Sequence, residues 1–174
     1  QGPDYHFTVF DNWASAGVTK TDGPNVAGSS AVTFFSGVLV NKSLWLNPEY
    51  FAGGFVKLDI ESGAMVTIPY DASSATIGDW TSTNFHPRCR TSLYDGTHIW
   101  FLPIQDDVLL RVHPTTYAME GFNISGGTTG ITGKFHGATF DGYSHITMTP
   151  NTYPNGVVRF DVRTGSMTSF SSWP

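Results

Sequence analysis

Three stretches of the chain align without a gap: FVKLDIESGAMVTI (Phe55 to Ile68), LLRVHPTTYAMEGF (Leu109 to Phe122) and VVRFDVRTGSMTSF (Val157 to Phe170). A basic residue recurs at Lys57, Arg111 and Arg159, a hydroxyl at Ser62, Thr116 and Thr164, and a methionine at Met65, Met119 and Met167. A repeat of about fifty residues marks a supersecondary unit that cannot bury its apolar faces alone and stacks on copies of itself. Val56, Leu58 and Ile60 alternate with Lys57 and Asp59, and Val158, Phe160 and Val162 alternate with Arg159 and Asp161. A period of two places the aliphatics on one face of a strand and the charges on the other.

The repeat extends upstream of these blocks. FFSG (Phe34 to Gly37), LYDG (Leu93 to Gly96) and TFDG (Thr139 to Gly142) each place an aromatic before a Gly-terminated turn, where glycine accepts positive φ. Apolar strands closed by proline follow at Leu44 to Pro48, Ile99 to Pro103 and Ile146 to Pro150. Each unit therefore reads as four antiparallel strands, which in the first unit are expected near 30–36, 39–47, 55–61 and 64–69. The units cover about 30–70, 89–124 and 136–173 of a single all-β domain over 4–174, with almost no helix. Residues 1–3, Gln-Gly-Pro, resemble the remnant of a 3C-type protease site and stand outside the fold.

Composition fits an all-β domain and excludes several function classes. Nineteen glycines and ten prolines serve the turns, and thirteen phenylalanines, seven tyrosines and five tryptophans supply strand formers with large buried areas. Only 13% of residues are charged, against about 25% in ordinary soluble domains. A net charge of −5 with only nine basic residues argues against nucleic acid and against an anionic membrane surface. No apolar run approaches the ~18 residues needed to cross a bilayer as a helix. The lone Cys89 excludes an intramolecular disulfide and reads as a small buried hydrophobe.

Candidate chemistry is sparse. Lys57/Asp59 and Arg159/Asp161 could suggest a repeated metal site, but His113 interrupts the series and cations stand two residues away, so strand-to-turn bonds or salt bridges are the expectation. The histidines (His6, His86, His98, His113, His136 and His145) form no zinc or hydrolase template, although two from neighbouring units could meet in space. A glycosidase pair would come from Asp79, Asp95, Asp106, Asp107, Asp141, Glu49, Glu61 or Glu120. Serine has no G-x-S-x-G elbow, and Asn41 and Asn123 head N-x-S acceptor strings. Trp45 and Trp100 occupy equivalent positions, with Thr147 in the third unit, and are expected in the core between units. The connections Asp71 to Pro87 and Ser125 to Phe135 are long and recur on one edge of the array. Residues unique to one unit make better ligand contacts than repeated ones, so Asp79, Trp80, Asn84, Asn151 and Tyr153 are the candidate ligand-binding set.

The series FDG, apolar strand with proline, GVVRFD, TG and Met resembles the four-stranded repeats of β-propellers over residues 30 to 173. The resemblance implies a propeller-like, pseudo-threefold array and no particular activity. Three units are fewer than propellers normally have, so an oligomer completing a ring, a β-trefoil and a β-prism remain as alternatives. The functional expectation is a non-enzymatic receptor- or glycan-binding head of a larger extracellular, virion-surface or fibre protein, with no cofactor or metal. A structural spike or assembly domain and a glycoside hydrolase are the alternatives, and a homo-oligomer formed through the parent protein is possible.

Overall fold

The computed structural model describes residues 34–48, 54–70, 89–104, 107–125, 135–151 and 156–170. They form three four-stranded antiparallel sheets, each a meander in which chain neighbours pair. Sheet 1 holds β1 (Phe34–Val40), β2 (Ser43–Pro48), β3 (Phe55–Asp59) and β4 (Met65–Ile68). Sheet 2 holds β5 (Cys89–Tyr94), β6 (Ile99–Pro103), β7 (Val108–Val112) and β8 (Met119–Asn123). Sheet 3 holds β9 (Phe135–Phe140), β10 (His145–Pro150), β11 (Val157–Asp161) and β12 (Met167–Phe170). The expected third and fourth strands fall within a few residues of those observed.

The first hairpin differs from expectation. FFSG is no turn: Gly37 lies inside β1 opposite Leu46, and the chain reverses at Asn41–Lys42, with Asn41 at φ 54°. Trp45 pairs with Val38, Trp100 with Leu93 and Thr147 with Thr139, so Val38, not Phe34, is the counterpart of Leu93. Gly37 is required for clearance, because a Cβ there would stand 2.6 Å from the Trp45 carbonyl oxygen. In the later units the turns begin at Asp95 and Asp141, as the Asp-Gly pairs suggest.

The sheets stack face to face with sheet 2 in the middle. On one side Ile99, Phe101, Leu110 and Val112 meet Val40, Trp45, Phe55 and Ile68 of sheet 1. On the other, Trp100, Leu102 and Leu109 meet Ile146, Met148, Val158 and Phe160 of sheet 3. All four of these positions in β6 (Ile99, Trp100, Phe101 and Leu102) have no exposed surface, as befits a strand covered on both faces. Phe55 stacks on Phe101 with ring centroids 4.0 Å apart, and Trp100, Phe122 and Phe160 pack mutually in the second seam. Burying such rings stabilises the stack by roughly 1.5–3 kcal/mol for each large side chain.

First strands line the inner side of the stack, β1 beside β5 and β5 beside β9. One hydrogen bond recurs across both seams: Ser36 Oγ donates to the Arg90 carbonyl at 2.7 Å, and Thr91 Oγ1 donates to the His136 carbonyl at 2.8 Å. The sheets do not close into a ring; they form an open three-blade arc.

The two terminal faces differ. Sheet 1 turns Val56, Leu58 and Met65 away from sheet 2, yet they are buried within the single chain. Sheet 3 turns Thr139, Thr147, Arg159 and Thr168 outward in one row across its four strands. At the corresponding positions the seam-facing sheets carry Val38, Trp45, Lys57 and Val66, or Leu93, Trp100, Arg111 and Glu120.

Candidate functional site

Connectivity gives the arc two edges. The β1–β2 and β3–β4 turns share one, where Ile60 N donates to the Lys42 carbonyl; Val162 N reaches the Ser144 carbonyl in the same way in sheet 3. The longer connections within and between sheets leave from and return to the opposite edge.

At the tight-turn edge the repeated residues are consumed by folding. Asp59 Oδ1 accepts from the Glu61 and Ser62 amides, and Asp161 Oδ1 accepts from those of Arg163 and Thr164. His113 does the same work with Nδ1, which accepts from the Thr115 and Thr116 amides. The interruption that argued against a metal site is therefore a ring nitrogen substituting for a carboxylate oxygen. Ser62, Thr116 and Thr164 hydroxyls then accept from the amides of Ala64, Ala118 and Ser166. Hydrogen bonds from Ser62 lower the Asp59 pKa, and the Arg163 amide leads in lowering Asp161 to about 2. Three amides, those of His145, Ser144 and Tyr143, hold Asp141 well below the usual carboxylate range. The repeated cation covers an aromatic in every unit: Lys57 over Trp45 (5.9 Å), Arg111 over Trp100 (5.5 Å) and Arg159 over Phe170 (5.6 Å).

None of these residues is arranged for nucleophilic catalysis. Ser144 Oγ and Asp141 Oδ2 both approach His145 Nδ1, at 2.9 and 3.0 Å, while Nε2 faces Asp161 Oδ2 at 3.6 Å. A serine nucleophile must reach its substrate, but Ser144 is fully buried, and Asp141 and Asp161 both hold turn amides. Of the glycosidase candidates, Asp95 and Asp141 cap turns, Glu120 pairs with Arg111 and Glu61 with Lys42. His98 meets His113 of its own unit, rings 5.6 Å apart, so histidines of neighbouring units do not pair there. Among the described residues no three His, Cys, Asp or Glu are placed to hold a metal ion.

The linker edge is different. Each first strand carries an irregularity at its start, between Phe34 and Gly37, between Cys89 and Thr91, and opposite Thr149/Pro150. A bulge adds one residue to the strand and re-aims its side chain. The residues so released are Phe35, Arg90 and His136, equivalent in position and different in kind. They converge: the Arg90 guanidinium lies 4.9 Å over the Phe35 ring, and the Phe35 and His136 rings meet edge to face at 6.3 Å. Phe35 is 48% exposed and His136 is exposed as well. A half-exposed aromatic ring, a guanidinium lying over it and an imidazole at its edge thus meet at the linker end of the first strands.

Asn151, exposed just beyond β10, belongs to this same edge. Asp79, Trp80, Asn84 and Tyr153 lie outside the described residues; the β4–β5 and β10–β11 connections that carry them both depart from the linker edge. Sequence reasoning missed Phe35, Arg90 and His136. The signal was available: each stands one residue after the partner of a strand-closing proline, Pro48, Pro103 or Pro150. Aligning FFSG with the Asp-Gly turns hid it.

No known family signature matches the chain, and no curated protein matches it in sequence. Solved structures do match in fold. The extracellular domain of a putative one-component system from B. thetaiotaomicron superposes with a TM-score of 0.54 at 12% identity, over 83% of this chain and 17% of that one. The extracellular domain of a putative hybrid two-component system from the same organism gives 0.57 at 11% identity, over 86% and 20%. These neighbours are β-propeller-like domains, so the fold is of propeller type. The chain spans about a fifth of the length of the structures it matches.

Proposed function

We propose that the chain is a non-enzymatic binding module of a larger extracellular protein, taking a cell-surface receptor or glycan at the linker edge. One observation carries the reading: the repeated polar residues are spent on turns and seams, whereas Phe35, Arg90 and His136 differ in kind at one equivalent position and lie in contact with one another, with Phe35 and His136 exposed. Aromatic faces stack on the CH faces of sugars, and guanidinium and imidazole donors suit hydroxyl or carboxylate oxygens. Trp80 and Tyr153, with Asp79, Asn84 and Asn151, supply the same chemistry from connections of this edge. An extracellular setting accords with the fold neighbours being extracellular domains; a virion-surface or fibre head would use the same edge.

A glycan array with a parallel cell-binding assay tests the proposal. Arg90→Ala, and separately Trp80→Ala with Tyr153→Ala, should each weaken the best hit by roughly tenfold or more, as loss of a central anchor does. Thermal melting should stay unchanged. Unaltered affinity in both variants, with unaltered melting, sinks the proposal.

A further inference from the structure

On the opposite, tight-turn edge lies a cavity of about 220 Å³ lined by Ser43, Lys57, Asp59, Ala64, Met65 and Val66. Comparison of the three sheets shows why this place is unusual. Arg111 is paired across its strand with Glu120 and bonded to that carboxylate. Lys57 sits opposite Val66 instead, and among the described residues it has no carboxylate partner. Its ammonium donates to the Tyr117 hydroxyl at 3.3 Å and rests 5.4 Å over the Tyr117 ring. That tyrosine occupies a left-handed conformation, φ 61°, where the other units have Gly63 and Gly165. A bulky residue kept in that region marks a constrained position. Two residues along the same face, Asp59 Oδ1 accepts the turn bonds while Oδ2 accepts none among the described residues, and Ser43 pairs with Asp59 across the strands.

We infer that this cavity is a second binding site, for a small zwitterion of amino-acid size. Its carboxylate meets Lys57, where Glu120 meets Arg111 in the next sheet, and its ammonium meets Asp59 Oδ2 and Ser43. A plain carboxylate would face the Asp59 charge, and a plain amine would face Lys57, so only a ligand with both charges satisfies both walls.

The test is a titration of the isotope-labelled chain followed by amide ¹H–¹⁵N shifts, with alanine, propionate and alaninamide as probes. Alanine should give saturable shifts at Ser43, Lys57, Asp59 and Val66, and the other two should bind roughly tenfold more weakly, the loss of one charged contact. Val66→Glu restores the missing carboxylate at an exposed position and should abolish the shifts while the fold persists. Lys57→Met should abolish them too. Absence of saturable alanine shifts overturns the inference, as does propionate binding as tightly as alanine, or unchanged binding in Val66→Glu.

Discussion

Trp45 and Trp100 occupy the same place in successive sheets, yet among the described residues only Trp100 has a partner for its indole N–H. Trp100 Nε1 donates to Asp95 Oδ2 at 2.6 Å, from the longer Asp-Gly turn above it. In sheet 1 the two-residue Asn41–Lys42 turn has no such aspartate, and Trp45 Nε1 is buried without a hydrogen-bond partner. Leaving a buried donor unmade costs about 1–3 kcal/mol, whereas a charge-assisted bond stabilises by about 1.5–3 kcal/mol. Trp100→Phe should therefore destabilise by at least ~1 kcal/mol more than Trp45→Phe in denaturant melts; equal costs would show that the Asp95 bond adds nothing. Cys89 gives a second expectation at this scale. Burial pushes its thiol up to about 12, and Sγ donates to the Thr91 carbonyl at 3.1 Å. Since the thiolate is the reactive form, the native protein should resist a thiol reagent at neutral pH and react fully once unfolded.

Within the hairpins, the side chain that closes a turn also sets its acid sensitivity. Asp59, Asp141 and Asp161 hold pKa values below those of free carboxylates because turn amides bond the charged form. An unfolded chain then binds more protons than the native one at acid pH, so their stabilisation is complete above about pH 4 and is lost as pH falls. For Asp161 the loss extends down to about pH 2. Asp161→Asn should flatten the decline of melting temperature across that window, and an unchanged slope would show that this cap carries no linkage. The methionines form a parallel series. Met65, Met119 and Met167 pair with Leu58, Val112 and Phe160 in the same register, as the gapless blocks imply. Only Met65 is buried, and the other two are half-covered at their seams. Met65→Ala should cost about 2–5 kcal/mol and each of the others distinctly less; equal costs would contradict the burial. The third and fourth strands were thus legible because period-two burial and turn capping are both local and both written in residue type. The first strand was not, since Phe34 to Val40 carries a bulge, and a bulge breaks the period-two alternation by which register is read. The axial residues Phe35, Arg90 and His136 were illegible for the same reason. They are also unlike one another, so no repeat signal marks them.

For the whole molecule, the question is what stops a stack of sheets from growing. Each seam joins a face bearing Trp and a cation to an apolar face, with a first-strand hydroxyl reaching the next sheet's carbonyl. Sheet 3 keeps only the cation of the first set: Gly137 replaces the hydroxyl of Ser36 and Thr91, Thr147 replaces the tryptophan, and Thr139 replaces Val38 and Leu93. Arg159 remains and covers Phe170 at a surface where both are exposed. The complementary aliphatic residues of sheet 1, Val56, Leu58 and Met65, are already covered within one chain. A second copy docking head to tail would therefore bury threonines against no partner and find the receiving face occupied, so ring completion by two chains is disfavoured. The chain should sediment as a monomer at micromolar concentration. Thr147→Trp with Thr139→Leu rebuilds the seam-type face while leaving the inward residues of β9 and β10 untouched, and it should raise self-association or surface-probe binding without lowering the melting temperature. A wild-type dimer whose formation Thr147→Trp abolishes would show instead that the threonine face is itself the interface.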